Sequence, residues 1–393
     1  MIRGSSVMVL AVCVFFVCAC GGAGTTKPEL DLQVELTETD GDSTSFDVSD
    51  TDGDVDVPES DVEADDDSVS IDGAETDDEA VDAAEVSDLS PRVEEGEWAI
   101  GGTSLHYRIV GEGQPLILLH GGPGGNCQGF ARLEALADSY RVIMYDQRGS
   151  GLSERLGLSV TNRDTTLMSV ERHVEDLEEI RQMLGLEKLV LLGHSWGGTL
   201  AAFYAATYPE HVQRAIIYNG GPMWPSIREQ RAEEQARRQS AEVLAEIEAL
   251  NQQLNDNIMS WTQDELDVWF LSMARLYFPT MLCDPSAFSE QESGPGGFWA
   301  NYMTNAYIDT FEPTEFAQRF ALVDAPLLLT WGRCEPAPIE RQLLLRDAAP
   351  NASLVIFEHS GHQAMDEEPE LFLETVRAFL ADEPLPIEPY TGD

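Results

Sequence analysis

Positive charge is scarce in this chain. Its 393 residues include 23 Lys and Arg against 71 Asp and Glu, a formal net charge of −48. A nucleic-acid-binding protein needs a basic stripe that neutralises phosphates, and the sequence has none, so we exclude nucleic acid as a partner. Electrostatic attraction to an anionic membrane is excluded for the same reason. Membrane contact is therefore expected only through attached lipid.

Cysteine is also scarce, and three of the six cysteines lie within the first 20 residues. The sequence contains neither Cys-x-x-Cys nor His-x-x-x-His, so we predict no metal site. In an exported protein the other three, Cys127, Cys283 and Cys334, allow one disulfide and one free thiol. We favour a bridge between Cys283 and Cys334, although the sequence leaves the pairing open.

The only long apolar run at the N-terminus, Val7 to Ala19, is too short to span a membrane. Residues 1–20 have the length and flanks of a secretory signal, and the ending Val17-Cys18-Ala19-Cys20 resembles a bacterial lipobox. Cys20 would then carry lipid and anchor the exported protein to the cell envelope. Ordinary cleavage, with release of a secreted protein, is the alternative.

Residues 21–91 are predicted to be a disordered tether. From Glu29 to Ser90 there are 25 acidic residues, no Lys or Arg, and one aromatic residue, Phe46. Such a segment cannot bury enough apolar surface to offset the entropy of ordering. Repulsion among its charges extends it, so it would hold a folded domain away from an anchor.

After Arg92, short apolar runs typical of buried parallel strands alternate with helical patterns. This alternation predicts an α/β protein with a doubly wound, mostly parallel sheet, built from residues 92–221 and 313–393. Residues 222–312 carry only helical patterns and are too long for a structureless loop. We interpret them as a helical cap over the carboxyl ends of the strands; a lateral helical insertion is the alternative.

One motif predicts the chemistry. Gly193-His194-Ser195-Trp196-Gly197-Gly198 follows the apolar run Leu189 to Leu192 and opens a helical pattern. A serine at such a sharp strand-to-helix turn is typical of the nucleophile elbow of serine hydrolases. Glycines beside it leave room for the close approach of strand and helix. The sequence therefore predicts Ser195 as the nucleophile.

A serine nucleophile needs a base, and the base needs a carboxylate that orients it. His362 follows the last predicted strand and lies beside a glycine, so we favour it over His359 as the base. Glu335 follows the preceding predicted strand and is the favoured acid. Asp324 and Asp366 are the alternative acids.

Acyl transfer also needs N–H donors for the oxyanion. The glycine-rich turn His120 to Gly125 follows a predicted strand, and the N–H groups of Gly122 and Trp196 would form the oxyanion hole. We expect a structural role for His120. The polar loop Asp146 to Ser153 is expected to be held together by its own charge-assisted hydrogen bonds.

Together these segments resemble the proline iminopeptidase group of the α/β-hydrolase superfamily. The matching segments follow one another in the same order as in that group: His120 to Gly125, Asp146 to Ser153, Gly193 to Gly198, Gly332 to Glu335 and Ser360 to His362. The resemblance covers roughly residues 97–383. It implies an α/β-hydrolase fold, a triad of Ser195, His362 and Glu335, hydrolysis without a cofactor, and a helical cap.

Two departures concern the substrate. Glu335 stands where Asp is common, and the stretch Phe298 to Tyr302 has no acid where the family places a Glu for the substrate's amine. Trp299, Asn301 and Tyr302 would then line a pocket for an uncharged acyl group. Otherwise an acid from elsewhere completes an amine site; the candidates are Glu290, Glu292 and Asp309.

Three hypotheses follow for the function. The first is an aminopeptidase that releases N-terminal proline or similar residues through an acyl-enzyme. The second is an esterase or amidase that uses the same triad on small uncharged acyl substrates. The third is a tethered binding protein without turnover, against which the complete triad argues. The expected partner is a peptide or small acyl substrate, and the oligomeric state is left open.

Overall fold

The computed structural model describes residues 92–155, 157, 164–288, 295–308 and 311–392. The predicted signal peptide, the lipidation site Cys20 and the predicted tether lie outside the described residues. The same is true of Glu290, Glu292 and Asp309, the three acids considered for an amine site.

An eight-stranded sheet organises the described chain, in the order β1-β2-β4-β3-β5-β6-β7-β8. β1 and β2 pair antiparallel, as do β2 and β4, and the pairings from β4 through β3 to β8 are all parallel. The doubly wound, mostly parallel sheet predicted from the sequence is thus confirmed. The strands are Val93–Ile100, Thr103–Val110, Gln114–Leu119, Tyr140–Tyr145, Leu189–His194, Val212–Tyr218, Leu327–Gly332 and Ala352–Phe357.

Helices cover both faces of this sheet, because the parallel strands are apolar on both sides. One apolar cluster includes Leu177, Leu200 and Phe320, and the other includes Phe130 and Phe372. The helices are α1 Val170–Met183, α2 Trp196–Thr207, α3 Pro225–Arg237, α4 Ala241–Asn257, α5 Gln263–Tyr277, α6 Phe298–Ile308, α7 Pro313–Phe320, α8 Glu340–Ala348, α9 Ala364–Glu367 and α10 Pro369–Ala381. A run of 3-10 turns, Cys127–Asp138, packs on the same face as α10.

Of the five helices α3 to α7 between β6 and β7, we call the first four, α3 to α6, the cap. The cap has an apolar cluster of its own, which includes Leu254, Trp269 and Phe298. A capping box, in which Thr262 and Glu265 satisfy each other's backbone N–H, starts α5. The boundaries at residues 222 and 312 remain predictions. Among the described residues, the helices are all too short or too polar to cross a membrane.

Candidate active site

The elbow is a sharp turn at the carboxyl end of β5. Ser195 lies between β5 and α2 with φ 56° and ψ −117°, a conformation that costs free energy for a residue with a side chain. Its N–H donates to Tyr218 O at 2.8 Å, on the neighbouring strand. A Cβ on Gly193 would overlap the carbonyl of Gly197, and one on Gly197 would overlap that of Leu119. Backbone packing alone therefore holds the serine in this strained turn.

His362 and Glu335 lie on the loops that follow β8 and β7. Both are buried, and Nδ1 of His362 is hydrogen-bonded to Oε2 of Glu335. His359 is exposed, and its N–H donates to Glu368 at 3.0 Å. The structure thus brings His362, and not His359, to the buried carboxylate.

The alternative acids have other partners. Asp324 is exposed and accepts from Asn351 at 3.1 Å, and Asp366 accepts from Arg132 at 2.8 Å. Neither is hydrogen-bonded to His362 in the part of the chain that the structure describes. Glu335 is therefore the carboxylate that can hold the imidazole in one tautomer.

Glu335 is ionised although it is fully buried. Burial by itself raises its pKa, but the electrostatic interaction and the hydrogen bond with the imidazole of His362 oppose this effect. The guanidinium of Arg231 and the N–H of Ala337 add to the opposition, so the pKa is lowered to about 2. Because Arg231 is itself buried, on cap helix α3, the cap contributes to the charge state of the acid.

The base lies beside the elbow. The ring of His194, the residue before Ser195, is 4.8 Å from the ring of His362, centroid to centroid. Nε2 of His194 donates to His362 O at 2.9 Å, and burial lowers the pKa of His194 to about 3, so this ring stays neutral. No hydrogen bond joins the Ser195 hydroxyl to His362 within the described residues. Such bonds often tighten only when substrate is bound.

The predicted oxyanion turn lies against the elbow. A Cβ on Gly121 would come within 3.1 Å of Ser195 Cβ, and Gly122 has a φ of 119°, which only glycine adopts easily. Trp196 is the first residue of α2, so its N–H belongs to the unpaired helix N-terminus. The N–H groups of Gly122 and Trp196 are thus placed on the two segments that meet at Ser195.

Gln147 connects these two segments. Its Oε1 accepts from the Trp196 indole at 2.6 Å, and its Nε2 donates to His120 O at 2.8 Å. His120 accepts from Gln147 N through Nε2 and donates to Gly121 O through Nδ1. Burial lowers the pKa of His120, in keeping with this neutral tautomer. The structural role expected for His120 is confirmed by these bonds.

The polar loop is held as the sequence predicts. Asp146 accepts from the N–H groups of Cys127 at 2.7 Å and Leu152 at 2.9 Å, and Arg148 makes a bidentate ion pair with the buried Asp176. These charge-assisted bonds fix the segment that carries Gln147.

Asp146 of this loop belongs to the one group of three potential metal ligands that the described residues contain, together with His106 of β2 and Cys127. The second carboxylate oxygen of Asp146 already accepts from Leu152 N–H and is 3.0 Å from His106 Nδ1. Burial and the charge of Asp146 raise the pKa of the Cys127 thiol, whereas a metal binds the thiolate. We interpret the group as a hydrogen-bond network.

The predicted pocket residues of α6 divide into two groups. Trp299 packs edge-on against Phe298 and Tyr302 inside the apolar cluster of the cap. Asn301 instead reaches the oxyanion turn, where its Nδ2 donates to Pro123 O at 2.8 Å. Gly297 directly precedes α6, and its N–H donates to Gly124 O at 2.9 Å. The cap thus holds the oxyanion turn from outside.

Two positioning residues were not predicted from the sequence. His194 occupies the variable position of the elbow motif. Asn219 directly follows β6 and has a φ of 46°. The Asn219 side chain accepts from Gly332 N at 3.1 Å and donates to Gly361 O at 3.0 Å, which joins the acid loop to the base loop. The available signal in the sequence was a polar residue at or just after the carboxyl end of a buried strand, which is the edge of the sheet where the candidate site lies.

Comparison with known proteins agrees with this geometry. The family model described as "alpha/beta hydrolase fold" matches residues 114–369. A proline iminopeptidase of Heyndrickxia coagulans is 31% identical over 284 residues, which cover 69% of this chain and 91% of that protein. A proline iminopeptidase of Saccharolobus solfataricus is 28% identical over 302 residues, 74% of this chain and 93% of that protein.

Solved structures show the same fold. Proline iminopeptidase of Mycobacterium smegmatis has a TM-score of 0.53 at 22% identity, covering 74% of this chain and 98% of its own. The epoxide hydrolase CorEH has a TM-score of 0.54 at 23% identity, covering 74% of this chain and 99% of its own. By its family match and its curated relatives, the chain belongs to the α/β-hydrolase family, is proline iminopeptidase-like, and is a hydrolase.

Proposed function

We propose that the protein is a serine hydrolase that works through an acyl-enzyme and acts as an aminopeptidase on N-terminal proline or similar residues. The observation that carries the proposal is the buried, hydrogen-bonded pair of Glu335 and His362, which lies beside a strained elbow serine. That arrangement is the one needed to activate a hydroxyl that is otherwise a poor nucleophile.

In this mechanism Ser195 attacks the substrate carbonyl while His362 takes the hydroxyl proton. Glu335 remains ionised and stabilises the imidazolium that forms. The N–H groups of Gly122 and Trp196 receive the developing oxyanion, and His362 then returns its proton to the leaving group. Water releases the acyl group by the same steps in reverse order. No step requires a metal or cofactor.

The choice of proline as the released residue rests on the similarity to proline iminopeptidases. Such an enzyme would hold the substrate's free amine, and a buried ammonium needs a paired charge. In the described cap the buried acid is Asp267, which already pairs with Arg155 and accepts from Phe298 N at 2.8 Å. The candidates named from the sequence, Glu290, Glu292 and Asp309, lie outside the described residues.

One observation favours the second candidate, an esterase or amidase for uncharged acyl groups. Asn301 and Asn305 are both buried on the face of α6 that packs on the catalytic core. Oδ1 of Asn301 and both polar atoms of the Asn305 amide have no partner among the described residues. Buried polar groups are normally paired, so these neutral amides are suited to hydrogen-bond an uncharged substrate group.

The test uses three chromogenic substrates: a prolyl arylamide with a free amine, its N-blocked counterpart and a short acyl ester. Cleavage of the free prolyl compound alone would support the aminopeptidase. Cleavage of the ester without it would support the second candidate. The Ser195→Ala variant is the matched control. If the native protein cleaves none of the three and does not react with a fluorophosphonate probe, the serine hydrolase proposal is wrong and a binding protein is favoured.

We also propose that the protein is exported and anchored by lipid on Cys20. The signal-like residues 1–20 support this, and so does the disulfide between Cys283 and Cys334, a bond typical of oxidising compartments. Metabolic labelling with a radioactive fatty acid is expected to label the native protein and not the Cys20→Ser variant. Equal labelling of both would contradict the anchor.

A further inference from the structure

The acid and base loops are attached to the cap by one short segment. Residues 280–283 follow helix α5, and we call them the strap. The strap runs between the loop that carries Glu335 and the loop that carries His362, and it bonds to both. The strap has no role in the proposed mechanism, although it contacts His362 itself and Cys334, the residue before Glu335.

On the base side the contact is through the backbone. The N–H of His362 donates to Met281 O at 2.7 Å. Gly361 lies so close to the strap that a Cβ there would overlap the Met281 carbonyl. The carboxylate of Glu367 joins the same two segments, because it accepts from Cys283 N and from Gly361 N, each at 2.7 Å. The backbone of the base is thus bound to the strap at two successive residues.

On the acid side the contact is covalent. Cys283 of the strap forms a disulfide with Cys334, the residue directly before Glu335. Arg238, at the end of cap helix α3, donates through Nη1 to Thr280 O at 2.9 Å and to Cys334 O at 2.7 Å. The guanidinium therefore bonds to the strap and to the acid loop at the same time.

The core supports the two loops as well, and on the base loop it does so at the same two residues as the strap. Asn219 bonds to Gly332 N and Gly361 O, and His194 bonds to His362 O. On the acid loop, Asn219 bonds to Gly332, three residues before Glu335, and the N–H of Cys334 donates to Ser360 O of the base loop at 3.0 Å. The strap adds a covalent bond at Cys334, the residue adjacent to the acid.

We propose that the strap is a positioning element of the catalytic pair, and that the Cys283–Cys334 disulfide sets the placement of Glu335 against His362, so that only the oxidised protein is fully active. This inference rests on the proposed serine mechanism. Opening the disulfide removes the covalent bond next to the acid and leaves Ser195, the oxyanion turn and the α6 asparagines in place. The rate of the chemical step then falls while substrate binding is kept, since misplacing a catalytic group by about 1 Å can cost up to about 100-fold in rate.

The first test compares the native protein with the Cys283→Ser/Cys334→Ser double variant, and each of these with and without a water-soluble phosphine. The phosphine supplies two electrons to the disulfide, water supplies two protons and an oxygen, and the products are two thiols and the phosphine oxide. We expect kcat per fluorophosphonate-titrated site to fall about tenfold or more in the variant and in the reduced native protein, with KM changed less than about threefold. The phosphine should not slow the double variant further.

Arg238 gives an independent test that leaves the disulfide in place. Arg238→Ala should lower kcat with little change in KM, and Arg238→Lys should restore part of it, because a lysine still reaches one of the two carbonyls. Arg237→Ala is the matched control: Arg237 is the exposed neighbour that pairs with Glu234, and its loss should leave kcat unchanged.

A spectroscopic measurement separates this inference from the proposed function. The proton on Nδ1 of His362, hydrogen-bonded to Glu335, should give a strongly downfield-shifted resonance in the native protein. We expect the resonance to move or disappear in the double variant and in Arg238→Ala. If it and kcat are unchanged after the disulfide is shown to be broken, the positioning role is wrong. If the native protein shows the resonance but has no hydrolase activity, the proposed function is wrong. The resonance in the two variants would still test whether the strap positions Glu335 against His362.

Discussion

The two halves of the candidate site are held in different ways. The nucleophile half depends on backbone packing inside the core, where Gly193 and Gly197 allow β5 and α2 to approach closely and Ser195 N bonds to Tyr218 O. The acid–base half depends on long side chains and on a disulfide that reaches in from the cap. The serine is thus held by the core, whereas Glu335 and His362 are held by the core and by the insertion together.

This difference suggests a division of tasks. A core that fixes only the nucleophile and the sheet can accept many insertions between β6 and β7, because no strand pairing passes through them. An insertion that also holds the acid, the base and the oxyanion turn then decides substrate and rate together. Substitutions that change one half of the site at a time test this division.

Ser195→Ala and His362→Ala should each lower kcat/KM by about 10⁴-fold or more, because the members of a triad act as a unit. The double variant should be hardly worse than either single one. Steady-state rates on whichever test substrate the native protein cleaves best provide the measurement.

His359→Ala is the control for these two variants, since His359 is exposed and lies three residues before His362. It should keep nearly native activity. If His359→Ala lost activity and His362→Ala kept it, the assignment of the base would be reversed.

Gly197→Ala should damage the nucleophile half through folding. The added Cβ would overlap Leu119 O, which is backbone and cannot move aside. We expect the free energy of unfolding to fall by about 3 kcal/mol or more, measured by urea denaturation. Gly129→Ala is the matched control, because a Cβ there meets nothing within 4 Å. Equal stability of the two variants would show that the elbow is not closely packed.

Glu335→Gln should damage the other half without unfolding it. A neutral amide can keep the contact but cannot stabilise an imidazolium, so kcat should fall by about 10³-fold. The folded pKa of Glu335 is about 2 against an ordinary 4.5, so its stabilising charge is fully present above pH 4.5 and is lost as the pH falls towards 2.

Urea denaturation at several pH values tests this sign. The stability difference between the native protein and Glu335→Gln should shrink as the pH falls from 4.5 towards 2. A difference that did not change in this range would mean that the folded pKa of Glu335 is not lowered.

The nucleophile half was predictable from the sequence, and most of what supports the acid–base half was not. The elbow is a local pattern: a buried strand, a serine between glycines and a helix lie within about ten residues. By contrast, His194 bonds to a residue 168 positions away, and Asn219 to one 142 positions away. A local pattern does not show which distant residues these two side chains bond to, because either side chain could equally face solvent. The favoured pairing of Cys283 with Cys334 is confirmed, but the bond of the same strap to His362 became apparent only with the fold.

Asn301 shows the same limit. We predicted it in a substrate pocket because it lies in the stretch where the family places a Glu for the substrate's amine, and in the structure its Nδ2 bonds to the oxyanion turn. A helix residue near a predicted site can serve the substrate or the protein, and spacing does not distinguish these roles. The two roles predict different kinetics.

Asn301→Leu is expected to have the smallest effect. If the side chain mainly holds Pro123 O, its loss loosens the turn that carries Gly122, and kcat should fall about tenfold while KM stays near its native value. If its unpaired Oδ1 instead contacts substrate, KM should rise and kcat should hold. Ala306→Ser, at an exposed position of the same helix, should change neither. A fall in kcat alone would mean that the cap acts on both sides of Ser195, through the strap at the acid and base and through α6 at the oxyanion. A rise in KM alone would confine its catalytic influence to the strap.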